Sequence, residues 1–333
     1  MRRARKVKAG EGMSFSGDVK EELSYQISEA RHCRIAEITA IITMCGQISI
    51  SGADRFSIRI HTENISVARK FFTLLRKTFN IEAEAGVRRN RKYENRLLYL
   101  VGVSGHEDTV RILQATKLLN ANLEIEETMS LVHNLVVQKE CCRRAFIRGA
   151  FLASGSISDP QRSYHFEIVC VSEQKAQQLK EIMNTFGLDA KVVLRKRYYV
   201  VYIKEGDRIS EILALMEANI SMMNLENIRI LKEMRNSVNR KVNCETANLN
   251  KTVSAAVKQI EDIKFLKEKM GFSGLSDGLE EMARLRLAYP EATLKELGAM
   301  LTPPMGKSGV NHRLRKLSAI AEELRGNKEE DLL

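Results

Sequence analysis

Seven polar or basic residues lie close together near the C-terminus, and their types suit contacts with nucleic acid. They are Lys307, Ser308, Asn311, His312, Arg313, Arg315 and Lys316. Asparagine and arginine can make paired hydrogen bonds to adenine and guanine, whereas lysine and serine suit phosphate oxygens. We therefore expect Asn311, His312 and Arg313 to face the bases of duplex DNA, and the other four residues to lie nearer the phosphates.

One helix would position these side chains, because apolar residues recur through the same segment at helical spacing. The predicted helix runs from about Ser308 to Leu324. Its apolar stripe contains Val310, Leu314, Leu317, Ala321 and Leu324. Before it, Thr293 and Glu296 form a capping-box pattern that predicts another helix over Leu294–Leu301. Gly298 lies where a helix-turn-helix needs close packing, so the pattern predicts that motif, with its last helix facing DNA.

Three further groups of basic residues are candidates for secondary contacts with DNA. Two lie at matching places in predicted hairpins, and the third lies in a basic stretch before the C-terminal helices. The groups are Arg88, Arg89, Arg91 and Lys92; Arg195, Lys196 and Arg197; and Arg240, Lys241 and Lys251. Basic runs equally suit solvated turns, and the asparagines around the third group equally suit caps and turns. We interpret residues 239–252 as a break between a helix ending near Met234 and one over Thr252–Lys269.

The middle of the chain contains an internal repeat, which has to be considered before other features of the fold. Ala145, Gly149 and Ala153 recur every four positions, so they share one face of a predicted helix. An earlier stretch has the same plan, because its Gly46-Gln-Ile-Ser corresponds to the later Gly155-Ser-Ile-Ser. Alternating and amphipathic segments follow each copy in the same order. The repeat predicts two αββαββα halves whose small-faced helices pack about a pseudo-twofold axis.

The doubled helix with its terminal glycine resembles the LAGLIDADG motif of homing endonucleases, and nearly the whole chain resembles the WhiA family of bacterial regulators. The phrase from Lys307 to Lys316 is the most specific part of this resemblance. The resemblance implies an α+β fold, in which a duplicated αββαββα LAGLIDADG-like saddle precedes an all-α helix-turn-helix domain. It also implies a transcription regulator with roles in sporulation, or in cell division and chromosome segregation.

Composition and the repeat together predict five segments. They are a basic tail and N-terminal helix (1–32), the duplicated saddle (33–224, with halves at about 33–120 and 139–224), a basic helical linker (225–273), the helix-turn-helix domain (274–325) and a tail (326–333). Met13 begins a more natural N-terminus than Met1. We therefore expect residues 1–12 to be disordered or to come from an upstream start.

The residues before the two motif glycines bear on enzymatic activity. Homing endonucleases carry an acid at each of these positions, and the two acids hold the divalent metal ions that cleave DNA. Here Cys45 and Ser154 occupy the positions, and neither supplies the anionic oxygen that Mg²⁺ prefers. We therefore expect a nuclease scaffold that is not an enzyme. Two alternatives stay open: a metal-dependent endonuclease, and a regulator whose saddle binds a protein or a ligand rather than DNA.

The composition fits a DNA-binding protein of the cytoplasm. The 333-residue chain has a formal net charge of +11, which favours a polyanionic partner, and no apolar run is long enough for a membrane span. The six cysteines form no CxxC pair and the six histidines show no ligand spacing, so we predict no metal site and no cofactor. We expect double-stranded DNA as the partner, no membrane, and a nucleoid-associated location. A further partner, such as another transcription factor or RNA polymerase, is left open.

Overall fold

The computed structural model describes residues 14–330, except 53–54, 91–95, 121, 123 and 126–134. It forms two compact units, residues 1–232 and 233–333. The first unit contains helices and two antiparallel sheets, and the second contains helices, which confirms the predicted fold class. The prediction for residues 1–12 lies outside the described residues, and the five segment boundaries stay predictions.

The first unit has the predicted αββαββα order in each half. After α1 (Phe15–Tyr25), the first half consists of α2 (Arg31–Cys45), β1 (Gly46–Ser51), β2 (Arg55–Thr62), α3 (Ile65–Phe79), β3 (Glu84–Asn90), β4 (Arg96–Val103) and α4 (His106–Ala115). After a 3-10 turn at Leu135–Val137, the second half consists of α5 (Glu140–Ser154), β5 (Gly155–Ile157), β6 (Phe166–Cys170), α6 (Glu173–Asn184), β7 (Lys191–Arg195), β8 (Tyr198–Ile203) and α7 (Gly206–Leu215). The sheets have matching strand orders, β1-β2-β4-β3 and β5-β6-β8-β7.

Alternation along the strands gives each sheet one core face and one solvent face. In β2, Phe56, Ile58 and Ile60 are buried, whereas Arg59 between them is exposed. In β6, Phe166 and Ile168 are buried in the same way. Because successive side chains of a strand point to opposite faces, the polar residues of both sheets collect on the face away from the core.

The helix pair α2–α5 lies at the centre of the first unit, and its small residues permit a very close approach. A Cβ atom added to Gly149 of α5 would lie 2.5 Å from the carbonyl oxygen of Glu37 and 2.9 Å from Cβ of Ala40, both in α2. Gly149 and Ala40 are each the tenth residue of their helices. The prediction that the two small faces meet is therefore confirmed.

A charged network is buried beside this helix pair. The Glu37 carboxylate lies 3.0 Å from Lys70 Nζ and 3.2 Å from Arg148 Nε. Arg148 also pairs with Glu217 at 2.8 Å. The network joins α2, α3 and α5, and the loss of one partner from a buried pair typically costs about 3–5 kcal/mol because a charge is left uncompensated.

One long helix, α8 (Asn219–Lys269), begins in the first unit and ends in the second. The predicted break over residues 239–252 is therefore wrong. The segment contains neither glycine nor proline, and asparagine and threonine each reduce helix stability by only about 0.7 kcal/mol or less relative to alanine. Such penalties weaken a helix without ending it.

The second unit is completed by α9 (Asp277–Ala288), α10 (Leu294–Met300) and α11 (Lys307–Glu330). Their core also includes Ile263 and Leu266 from the end of α8. The last helix contributes Val310, Leu314, Leu317 and Ala321 to this core. The predicted apolar stripe of the C-terminal helix is thus the side that packs against the core of the second unit. Across the described residues, no helix combines the length and apolar character needed to cross a membrane.

Candidate nucleic-acid interface

The first half of α11 has one continuous polar side, which we call the α11 front. Its exposed members are Lys307, Ser308, His312, Arg315 and Lys316. Asn311 is half-buried among them. These positions recur every three or four residues, so they share one side of the helix. The opposite side is the buried apolar stripe, which gives α11 an apolar back and a basic front.

A tight connector fixes where the α11 front begins. The side chains of Thr293 and Glu296 close the predicted capping box at the start of α10. After α10, the Met305 N–H donates to the Gly298 carbonyl at 2.8 Å. A Cβ atom on Gly298 would lie 2.1 Å from the Met305 carbonyl oxygen and 3.1 Å from a methyl group of Val310. The predicted need for close packing at Gly298 is confirmed.

Arg313 differs from its neighbours because its side chain is held against α9. It is half-buried, its Nη1 donates to the Gly278 carbonyl at 3.1 Å, and it lies 3.8 Å from the Glu281 carboxylate. Position 313 falls three residues after Val310 and four before Leu317, so it borders the packed stripe. A base contact by Arg313 would require these contacts with α9 to break.

Two arginines lie on the solvent face of the first sheet. Arg59 of β2 and Glu84 of β3 both lie opposite Gly102 of β4, which stands between these strands. Arg59 and Glu84 are therefore on the same face of the sheet. Arg88 is four residues beyond Glu84, so it shares that face, whereas the adjacent Arg89 belongs to the opposite one. Among the described residues, no carboxylate pairs with Arg59 or Arg88. Arg88 and Arg89, which the sequence predicts to act together, therefore point to opposite sides of the sheet.

The second sheet carries an acid where the first carries Arg59. Glu167 of β6 occupies the same register position in the second sheet that Arg59 of β2 occupies in the first sheet. Arg195 Nη1 donates to the Glu167 carboxylate at 2.9 Å, and His165 Nε2 lies 2.9 Å from the same oxygen. Burial opposes ionisation of Glu167, but hydrogen bonds with His165 and Ser156 and the charge of Arg195 bring its pKa below the ordinary value. The charge of Arg195 is thus offset within the sheet.

Of the two basic hairpins, the structure describes the tip of the second. β7 and β8 are joined by Lys196 and Arg197, both exposed; Lys196 has φ 56°, and the Arg197 guanidinium lies 5.3 Å from the Tyr198 ring centroid. β3 and β4 are joined by residues 91–95. Arg91 and Lys92 therefore lie outside the described residues.

The third predicted group lies on the exposed middle of α8. Arg240, Lys241 and Lys251 are all exposed. Arg240 and Lys251 are separated by about three helical turns, so they share a side of the helix, while Lys241 lies about 100° away around it. The three cations are therefore spread over the helix surface instead of forming one cluster.

The last residues of α2 and α5, Cys45 and Ser154, place a thiol and a hydroxyl where a metal-binding carboxylate would be needed. Cys45 and Ser154 each donate to a carbonyl of their own helix, at 3.3 and 3.5 Å. Burial raises the pKa of Cys45 to about 12, against a smaller opposing effect of Lys20, and burial lowers the pKa of Lys20 to about 8. At pH 7 the thiol is neutral and the neighbouring lysine is mostly cationic. Neither the thiol, the hydroxyl nor the ammonium group is a suitable ligand for Mg²⁺.

Sequence reasoning missed two residues of the sheet surface, Arg59 and Glu167. The alternation of β2 could have identified Arg59, because it stands between buried isoleucines. Nothing in the spacing along the chain could have paired Glu167 with Arg195, since that contact depends on the register of three strands.

Three family models match consecutive parts of the chain. Residues 31–119 match the WhiA N-terminal LAGLIDADG-like domain, and residues 143–235 match the WhiA LAGLIDADG-like domain. Residues 238–321 match the WhiA C-terminal HTH domain. The three matches together extend over most of the chain.

The similarity to known proteins extends over nearly their whole length. The chain is 56% identical over 313 residues to a probable cell division protein WhiA of Lachnoclostridium phytofermentans, covering 94% of this chain and 100% of that protein. It is 46% identical over 317 residues to the protein of the same name from Alkaliphilus oremlandii, covering 95% and 99%. A crystal structure of full-length DUF199/WhiA from Thermatoga maritima has a similar fold, with a TM-score of 0.57, 23% identity, and coverage of 93% and 99%.

Proposed function

The chain belongs to the WhiA family, and we propose that it is a transcriptional regulator that binds duplex DNA through the α11 front. Relatives bear the name probable cell division protein, and the matching C-terminal family model describes a helix-turn-helix domain. The proposal adds to this the recognition of particular DNA sequences and the control of transcription. The processes we propose are cell division together with chromosome segregation, and sporulation in bacteria that sporulate.

The observation that carries the proposal is the separation of the two sides of α11. Val310, Leu314 and Leu317 face the core, so the polar side is free to enter a groove. Asn311 and His312 lie near the middle of this side, where base edges would be, and Lys307, Arg315 and Lys316 suit phosphates. Because Arg313 is tied to α9, we assign the first base contacts to Asn311 and His312. Arg313 would join them only after leaving Gly278.

We propose a smaller contribution from the saddle. Arg59 and Arg88 on the first sheet have no acidic partner among the described residues, so their charge is available to phosphates. Arg195 is offset by Glu167, so the second sheet contributes less. Arg240, Lys241 and Lys251 on α8 are further phosphate contacts in this proposal. The protein would act on the nucleoid in the cytoplasm, with RNA polymerase or another transcription factor as its further partner.

The first test neutralises two matched pairs of charges in the full-length chain. Arg315→Ala/Lys316→Ala removes two charges from the α11 front, and Lys264→Ala/Lys267→Ala removes two exposed charges from α8 in the same compact unit. Fluorescence anisotropy gives the affinity for a mixed-sequence duplex at several salt concentrations. Each phosphate contact contributes about 0.9 to the slope of log affinity against log salt, so the α11 variant should lose about two units. Equal losses in both variants would mean general charge attraction and would contradict the proposal.

We also propose that the protein does not cleave DNA, because Cys45 and Ser154 stand where an endonuclease needs acids. Incubation of plasmid with the purified protein and Mg²⁺ or Mn²⁺ should leave it intact. Cleavage that persists through purification, and that disappears on mutation beside Gly46 or Gly155, would contradict this expectation.

A further inference from the structure

Four side chains that can bind metal ions meet at the N-terminal ends of α2 and α5. They are His32, Cys33, Cys141 and Cys142, and their ligand atoms all lie within 4.8 Å of one another. Nδ1 of His32 is 3.1 Å from Sγ of Cys142 and 3.3 Å from Sγ of Cys33. Within the described ranges, this is the one group of three or more such side chains that is close enough to share an ion.

We propose that these four side chains bind one zinc ion through three cysteine sulfurs and one histidine nitrogen. Zinc lies about 2.3 Å from sulfur and about 2.0–2.1 Å from nitrogen in tetrahedral sites, which places the ligand atoms about 3.5–3.8 Å apart. The two separations from His32 Nδ1 are a few tenths of an ångström shorter than this and no pair of ligand atoms is more than 4.8 Å apart, so side-chain shifts of about 1 Å or less would complete the tetrahedron. A ligand set rich in sulfur favours zinc over Mg²⁺ or Ca²⁺, which prefer oxygen.

The internal repeat explains how ligands from distant parts of the sequence come together. His32 and Cys33 are the second and third residues of α2, and Cys141 and Cys142 are the second and third residues of α5. Equivalent positions of the two helices also meet further along, where Gly149 contacts Ala40. The helices therefore run parallel, and each half supplies two ligands at the pseudo-twofold axis. Neither half has enough ligands to form the site alone.

The charges around the group suit a bound zinc thiolate. As each Zn–S bond forms, the thiol loses its proton to solvent. The two positive charges of zinc and the three negative charges of the thiolates leave one net negative charge. The N-terminal ends of both helices favour negative charge. Of the arginines in these helix ends, Arg144 is paired with Glu140, and Arg31 and Arg34 donate to Thr78, so they add little to this charge balance.

Burial and access both fit a structural site with four protein ligands. Cys33 and Cys142 are buried, whereas His32 and Cys141 are exposed, so an ion can enter from solvent and be held against the core. A cavity of about 440 Å³ beside the group is lined in part by Cys33 and Cys141. With four protein ligands no position remains for a reacting water. The ion would instead join the two halves of the saddle at the N-terminal ends of their central helices.

The test measures zinc binding by the full-length protein under reducing conditions. Zinc is titrated in competition with a chromophoric chelator, and Co²⁺ serves as a spectroscopic probe of tetrahedral thiolate ligands. The wild-type protein should bind one zinc ion per chain, and its Co²⁺ form should show intense visible d–d bands and thiolate-to-cobalt charge transfer. Zinc should also raise the thermal unfolding midpoint of the wild-type protein.

Two exposed cysteines provide a matched pair of variants. Cys141→Ser removes a proposed ligand, and Cys244→Ser removes an exposed thiol of α8 outside the group. Loss of a residue that only hydrogen-bonds a metal ligand already costs about 10–100-fold in metal affinity. Cys141→Ser should therefore lose at least about 100-fold in zinc affinity, while Cys244→Ser should bind zinc as the wild type does. His32→Gln, another exposed change, should behave like Cys141→Ser, so the result does not depend on substituting a buried residue.

Three outcomes would overturn the proposal. One is a wild-type protein that binds no zinc in competition with the chelator. Another is equal zinc affinity in the wild type, Cys141→Ser and His32→Gln, which would place the metal elsewhere. The third is a disulfide among Cys33, Cys141 and Cys142, found by peptide mapping of protein isolated without added reductant. That outcome would identify the group as an oxidisable thiol cluster.

Discussion

The α11 front and the outer face of the second sheet both contain arginine, but they differ in what surrounds it. On α11, Arg315 and Lys316 are exposed, and no carboxylate pairs with either among the described residues. On the second sheet, Glu167 accepts a hydrogen bond from Arg195 at 2.9 Å and contacts His165 as well. The first sheet is intermediate, because no carboxylate in the described part of the chain pairs with its Arg59, while Glu84 lies on the same face.

This difference shows that the number of basic residues does not by itself identify a surface for DNA. An arginine whose charge is already offset by a carboxylate gains less from a phosphate, since it must give up the first partner. We therefore rank the α11 front first, the first sheet second and the second sheet third.

The largest effect is expected from displacing the α11 front as a whole. In Gly298→Ala, the new Cβ would lie 2.1 Å from the Met305 carbonyl oxygen, so the connector must shift. Overpacking of this kind typically costs about 1–3 kcal/mol. The variant should lose stability in the C-terminal unit and bind DNA more weakly than any single charge variant. Circular dichroism melts and anisotropy titrations measure the two effects.

Gly306→Ala is the matched control for that change, because it lies in the same connector and a Cβ there meets nothing within 4 Å. It should leave both the melt and the DNA affinity close to wild type. If Gly298→Ala also binds DNA normally, the α11 front is not the principal DNA surface and its first rank is wrong.

The next effect separates the two sheets. Arg59→Ala removes a cation of the first sheet that has no carboxylate partner within the described ranges, so the slope of log affinity against log salt should fall by up to about one unit. Arg195→Ala removes a cation already offset by Glu167, so its slope should fall by less. Salt titrations of both full-length variants against one duplex make the comparison. Equal losses would mean that pairing with Glu167 does not limit Arg195.

The smallest effect is expected from Glu167→Gln, which releases Arg195 from its partner. DNA affinity should rise slightly, and the salt slope should rise by less than about one unit.

The effect of Glu167→Gln on the free energy of unfolding has a definite sign. Because the pKa of Glu167 is lowered in the fold, its ionised form stabilises the protein above the ordinary carboxyl pKa, and this contribution is lost as pH falls through the lowered pKa.

Denaturation of the wild type and Glu167→Gln at several pH values checks that sign. The variant should be less stable at pH 7, by less than about 1 kcal/mol for a partly exposed pair. The difference should vanish as the carboxylate of the wild type becomes protonated. A difference that grows at acid pH would show that Glu167 is not stabilised by its cationic neighbours.

Local spacing was sufficient to predict much of the fold. The period of Val310, Leu314 and Leu317 identified the packed side of α11, and the repeat around Gly46 and Gly155 identified the two halves. The same local rules, applied further, would have separated Arg88 from Arg89 by strand alternation. They would also have placed Arg313 beside the apolar stripe.

Other features required contacts that spacing along the chain does not contain. The pairing of Glu167 with Arg195 depends on strand register, and the meeting of His32 with Cys142 depends on how two helices pack. The continuity of α8 was missed for a different reason. Its asparagines suggest a break, but a helix without glycine or proline can continue through several residues of low propensity.

The central claim is that the α11 front distinguishes DNA sequences, and one measurement tests it most directly. A target site is first selected from a random duplex library with the wild-type protein. The affinities of wild type, Asn311→Ala and Lys316→Ala are then measured for that site and for a scrambled one at several salt concentrations. Asn311→Ala should lose about 1–3 kcal/mol of discrimination between the two, whereas Lys316→Ala should weaken both alike and lower the salt slope by about one unit. If both variants reduce both affinities equally, α11 contacts only the DNA backbone, and the claim is contradicted.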